Sequence, residues 1–136
     1  MTKKIDFDKY ALFVDGVTSD SSKDYKSFLD SIEYLDGEGP NVQRLLTAAV
    51  GISAEGGEFM EIVKKMVFHG KPWDEHNRKH LIIELGDVMW YVMQACKALD
   101  VPIEEVVAGN VDKLKKRYPG GEFNVYQSEN RKEGDL

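Results

Sequence analysis

Residues 41–69 read NVQRLLTAAVGISAEGGEFMEIVKKMVFH. Val42, Leu45, Leu46, Ala49, Ile52, Phe59, Ile62, Val63 and Met66 recur at the three- and four-residue intervals that line up on one helix face. Gly70 follows as a natural stop. The spacing predicts a helix over 41–69, either continuous or broken near Gly51, Gly56 and Gly57. Each interior glycine costs about 1 kcal/mol relative to alanine, so three of them call for a packing or site reason. KPWDEHNRK (71–79) leads into a second long helix over 75–99. Asp74 is its expected cap. Leu81, Ile82, Leu85, Val88, Met89, Val92, Ala95 and Leu99 form its apolar side.

Outward from this pair the pattern stays helical. Pro102 suits the first turn of a last helix, with Glu104 and Glu105 favourable for its dipole. That helix carries Val106, Val107, Val111, Leu114 and Tyr118 and ends at Pro119-Gly120-Gly121. Toward the N-terminus, 6–17 reads as a short helix capped by Asp6, and 20–35 as another bearing Tyr25, Phe28, Leu29, Ile32 and Leu35. DGEGP (36–40) is a loop by composition. Sustained period-2 alternation is missing. The expected fold is all-α: an antiparallel bundle of four to five helices, completed by oligomerisation. Residues 1–121 are expected to form a single domain, and 122–136 an irregular polar tail.

The 136 residues, 42% apolar and 31% charged, describe an ordinary globular chain. A net charge of −6 speaks against a nucleic-acid polymer as partner. One cysteine, Cys96, fits a reducing compartment and reads as core filler. No apolar run approaches the roughly 20 residues that span a bilayer, and the first ten residues lack a signal-like stretch. The expectation is a cytoplasmic protein that does not meet the membrane.

The acids are the anomaly. Glu55 and Glu58 are three apart, as are Glu84 and Asp87, and both pairs sit in apolar sequence (ISAEGGEFM and LIIELGDVMW). Carboxylates converging between two helices repel, so they hold protons or a cation. Oxygen-only ligation favours Mg2+, with Mn2+ as a substitute. Gly57 and Gly86 would allow close helix approach or leave room around a metal. Di-iron carboxylate bundles carry Glu-x-x-His pairs, and this chain has none. His76 and His80 lack a third ligand and read as surface residues.

The Glu55-x-x-Glu58 and Glu84-x-x-Asp87 pairs resemble the metal-binding signature of the MazG-like pyrophosphohydrolases and their dCTPase and all-α dUTPase relatives. GISAEGGEFMEIVKK, ELGDVMWY and NVDKLKKRYPGG are similar to three segments of that family, in its order, over about 42–121. The small single-domain members carried by cyanobacterial viruses are the subgroup it most resembles, which would place the protein in a host cytoplasm. One departure is Ala54, where the family often has a first glutamate. The resemblance implies hydrolysis of a nucleoside triphosphate to monophosphate and pyrophosphate, with deoxynucleotides, dGTP and dCTP foremost. It implies Glu55, Glu58, Glu84 and Asp87 as catalytic metal ligands. It implies Tyr91, Asn110, Lys113 and Arg117 as substrate contacts, with Glu61, Lys64 and Lys65 as weaker candidates. It also implies a homo-oligomer, a tetramer or dimer. An alarmone, guanosine tetraphosphate, stays open as substrate. A non-enzymatic helical interaction or regulatory module would explain the helices but not the paired acids.

Overall fold

The computed structural model describes residues 2–135, and every regular element among them is a helix. In chain order these are α1 (Phe7–Gly16), α2 (Asp20–Lys23), α3 (Tyr25–Gly37), α4 (Val42–Phe68), α5 (Glu75–Leu99), α6 (Ile103–Arg117) and α7 (Val125–Glu129). The expected all-α class holds. Five of these helices have ten residues or more, and α2 and α7 are single short turns.

The chain forms two compact units, residues 1–42 and 43–136. In the first unit, α1 starts at the expected cap: the Asp6 carboxylate accepts from the Lys9 amide at 3.1 Å. The segment read as one helix over 20–35 is two. Asp24 adopts an extended conformation, and its Oδ2 accepts from the Ser27 amide at 2.9 Å and the Ser27 hydroxyl at 2.8 Å. Aspartate competes well for such capping geometry, so it starts α3 and ends α2. The Ser21 and Ser31 hydroxyls, 2.7 Å apart, tie the two pieces together.

In the second unit, α4 runs unbroken through its three glycines. It stops at Gly70, where φ is +66° and the Lys71 amide reaches back to the Lys65 carbonyl at 3.1 Å. That closure satisfies a carbonyl that the helix end would otherwise orphan. Asp74 caps α5 as expected, accepting from the Asn77 amide at 2.8 Å. The tail departs from expectation. Residues 125–129 form α7, started by the Asn124 side chain, which accepts from the Gln127 amide at 3.0 Å.

α4 and α5 pack against each other antiparallel. Gly51 of α4 lies against the Tyr91 ring of α5, so closely that an added Cβ would overlap it. One turn further along α4, Glu55 meets Glu84 and Asp87, which precede Tyr91 on α5. The register therefore descends on one helix as it rises on the other. Gly51 is thus the glycine with a packing reason. Gly56, Gly57 and Gly86 face open space and do not mediate the approach. Buried apolar side chains in this unit are few among the described residues: Ala48, Ile62, Cys96 and Ala98. Cys96 is core filler, as read.

Candidate metal centre

Mid-helix on α4 and α5, one carboxylate oxygen each from Glu55, Glu84 and Asp87 lie within 4.8 Å of one another. The helical period puts Glu84 and Asp87 on one face of α5, and the Gly51 contact brings α4 close enough for Glu55 to reach them. Glu84 is only 9% exposed, while Asp87 is open to solvent. A glutamate is rarely buried this deeply without a partner.

Glu55 shows the strain of this arrangement. Burial, a hydrogen bond to the Glu84 carboxyl and the charges of Asp87, Glu84 and Glu58 hold it above the ordinary glutamate value. Crowded carboxylates favour a proton or a cation between them. The donor set suits a cation. All three ligands are oxygens, which selects a hard ion. Oxygens bound to one Mg2+ at about 2.1 Å stand no more than about 4.2 Å apart, so the cluster is a side-chain adjustment away from a coordination shell.

The other sequence-derived candidates fall in different places. Glu58, one turn beyond Glu55, is exposed and outside the three-carboxylate cluster, though its charge acts on Glu55. Glu61 lies further along and bonds to its own helix neighbours, Lys64 at 2.9 Å and Lys65 at 3.5 Å. The bond from Lys64 holds its carboxyl below the usual value. Tyr91 packs its ring on Gly51 and meets Trp90 edge-on at 4.9 Å. Asn110 is exposed on α6. Lys113 and Arg117, one turn apart on α6, both meet Asp135 of the tail, at 3.8 Å and 2.6 Å.

Sequence reading missed two contacts. From sequence alone His80 reads as a plain surface residue, yet its Nε2 lies 3.1 Å from Glu84 Oε1. The four-residue spacing between His80 and Glu84 was the available signal. Asp135 carried no signal, because its partner lies eighteen residues away in sequence.

Two long antiparallel helices holding a carboxylate cluster between them define an all-α protein with a centre suited to a divalent cation. The MazG nucleotide pyrophosphohydrolase domain matches residues 43–121; the chain belongs to that family. Nucleotide pyrophosphohydrolysis is the family's general activity. The chain is also 37% identical over 87 residues to Gene 37 protein of Mycobacterium phage L5, covering 62% of this chain and 75% of that protein. No solved structure matches. No helix among the described residues is long and apolar enough to cross a membrane.

Proposed function

We propose that this protein is a Mg2+-dependent hydrolase that splits a (deoxy)nucleoside triphosphate into its monophosphate and pyrophosphate, in the cytoplasm. The observation that carries the reading is the convergence of Glu55, Glu84 and Asp87, inside the family-matched span, on a point between α4 and α5. These three would hold the ion, with Glu58, one turn beyond Glu55, as the fourth carboxylate available to it. Magnesium bound there supplies positive charge against the triphosphate and the departing pyrophosphate. A water oriented by a carboxylate of this cluster adds to the α-phosphorus and passes its proton to that carboxylate. The bond from the α-phosphorus to the bridging oxygen breaks, and pyrophosphate leaves. Carboxylates cannot bind phosphate, so Lys113 and Arg117 take that role, with Asn110 and Tyr91 at the sugar.

The test is a panel of the eight common (d)NTPs with Mg2+, dGTP and dCTP first, with products resolved by ion-exchange chromatography. Monophosphate plus pyrophosphate is expected from the wild type, lost with EDTA and in Glu84→Gln. Orthophosphate as the product, or turnover indifferent to EDTA, contradicts the reading.

We further infer a homo-oligomer, a dimer or tetramer. Val50, Met60, Val67, Ile82, Ile83 and Met89 on α4 and α5 are all more than 45% exposed. Apolar faces of this extent ordinarily mark interaction surfaces, and self-association is the common way for a short helix bundle to cover them.

A further inference from the structure

Beside α6 lies a cleft of about 590 Å³, walled by that helix and by residues 132–135 of the tail. Lys113, Lys116, Arg117 and Lys132 line it, against Asp112, Glu133 and Asp135. The volume is in the range of small-ligand sites. One of its walls already engages the protein's own carboxylate. Arg117 Nε donates to Asp135 Oδ2 and Arg117 Nη2 donates to Asp135 Oδ1, both at 2.6 Å. Lys113 Nζ approaches Oδ1 at 3.8 Å. The two main partners are well enclosed, with side-chain exposures of 12% for Arg117 and 6% for Asp135.

This is the two-pronged geometry with which a guanidinium receives any planar or tetrahedral oxyanion. A fork used by a carboxylate is unavailable to a phosphate. Without Asp135 the cleft keeps its four cations against two acids.

We propose that this cleft is a polyphosphate-binding seat and that Asp135 is its built-in competitor: the tail carboxylate stands where a nucleotide phosphate binds, and the tail must release before substrate is held. The proposal rests on the reading above that Lys113 and Arg117 contact substrate phosphates. A seat filled by its own tail nine-tenths of the time weakens apparent affinity about tenfold, because ligand binds only the open fraction. Tethering gives the acid a high local concentration, so even a weak intrinsic affinity for the fork is enough to hold it there.

The experiment uses inorganic tripolyphosphate as the probe, with binding measured by calorimetry so that the readout does not depend on turnover. Wild type is compared with Asp135→Asn, Asp135→Ala, Asp135→Glu and Arg117→Gln. KM and kcat for the best nucleotide are measured in parallel, and a melting curve for each variant verifies folding. Asp135→Asn and Asp135→Ala are expected to bind tripolyphosphate three- to tenfold more tightly and to lower KM. Asp135→Glu is expected to behave as wild type, and Arg117→Gln to lose binding. If Arg117→Gln weakens binding while Asp135→Asn and Asp135→Ala match wild type, the competitor proposal is overturned and the phosphate role of Arg117 stands. If Arg117→Gln binds as wild type does, the phosphate role falls, and the competitor with it.

Discussion

At the scale of single residues, the centre combines unequal carboxylates. Glu84 is buried, Asp87 is exposed, and Glu55 is held above its usual pKa by burial and by its acidic neighbours. A carboxyl whose folded-state pKa is raised contributes its full stability below the unfolded value, and that contribution is lost as pH rises through the folded value. On the proposed function, magnesium competes with that proton for the cluster. Its stabilising effect on the melting temperature is therefore expected to be small at acid pH and to grow toward neutrality, where the uncompensated cluster repels most. Equal Mg2+ shifts at both ends of that range would contradict the assignment of the ion to this cluster. Glu84→Gln is expected to abolish the neutral-pH shift. His80 touches Glu84, its Nε2 lying 3.1 Å from Oε1, so a role for it in the proposed centre would run through that carboxylate. Replacing a partner of this kind typically costs roughly 10–100-fold in metal affinity, so His80→Ala is expected to raise the Mg2+ concentration for half-maximal activity by about tenfold. His80→Gln, which keeps a donor within reach, should recover part of the loss. An unchanged Mg2+ requirement in His80→Ala would leave His80 as a bystander.

At the scale of elements, glycine position decides what a methyl group does. Alanine in place of Gly56 meets open space and should stabilise α4 by up to about 1 kcal/mol. Alanine in place of Gly51 gains the same helix preference but has to displace Tyr91, and overpacking of that kind costs about 1–3 kcal/mol. Gly56→Ala is thus expected to melt higher than wild type and Gly51→Ala lower, and a Tyr91→Ala background should remove the penalty at Gly51. The helices themselves were legible in the sequence because they are local. Period, cap and stop all lie within a few residues, as at Asp74 and Gly70. The break at Asp24 was local too, but an acidic residue inside an apolar period does not reveal which of two hydrogen-bonding options it takes. Pairing of the acids within each helix was readable. Which of them meet across helices was not, since that depends on the Gly51–Tyr91 register, and it left Glu58 outside the cluster of three. The Arg117–Asp135 pair depends on the path of the tail and was not visible at all, whereas the short helix before it starts at a local cap, Asn124, without an apolar period to mark it.

At the scale of the whole molecule, apolar side chains remain uncovered on most helices: Phe7 and Leu12 on α1, Tyr25 on α3 and Phe68 on α4 are each more than 70% exposed. A stable interface between copies buries roughly 1,600 Å² in total, and these helices have apolar surface to supply it. Sedimentation equilibrium at micromolar concentration is expected to give a dimer or tetramer mass. Specific activity should fall on dilution if the active form is the assembly. A monomer that keeps full activity at every dilution would contradict this.

The clustered carboxylates also lie far from any helix end. Thirteen residues of α4 precede Glu55 and thirteen follow it, and nine residues of α5 precede Glu84. Helix ends fray while their middles stay closed, so amide hydrogens near Glu55 and Glu84 should exchange with deuterium among the slowest in the chain, and those of the tail among the fastest. The protein would then keep a still frame for the ion at the middle of its longest rods, and leave transient opening to the periphery.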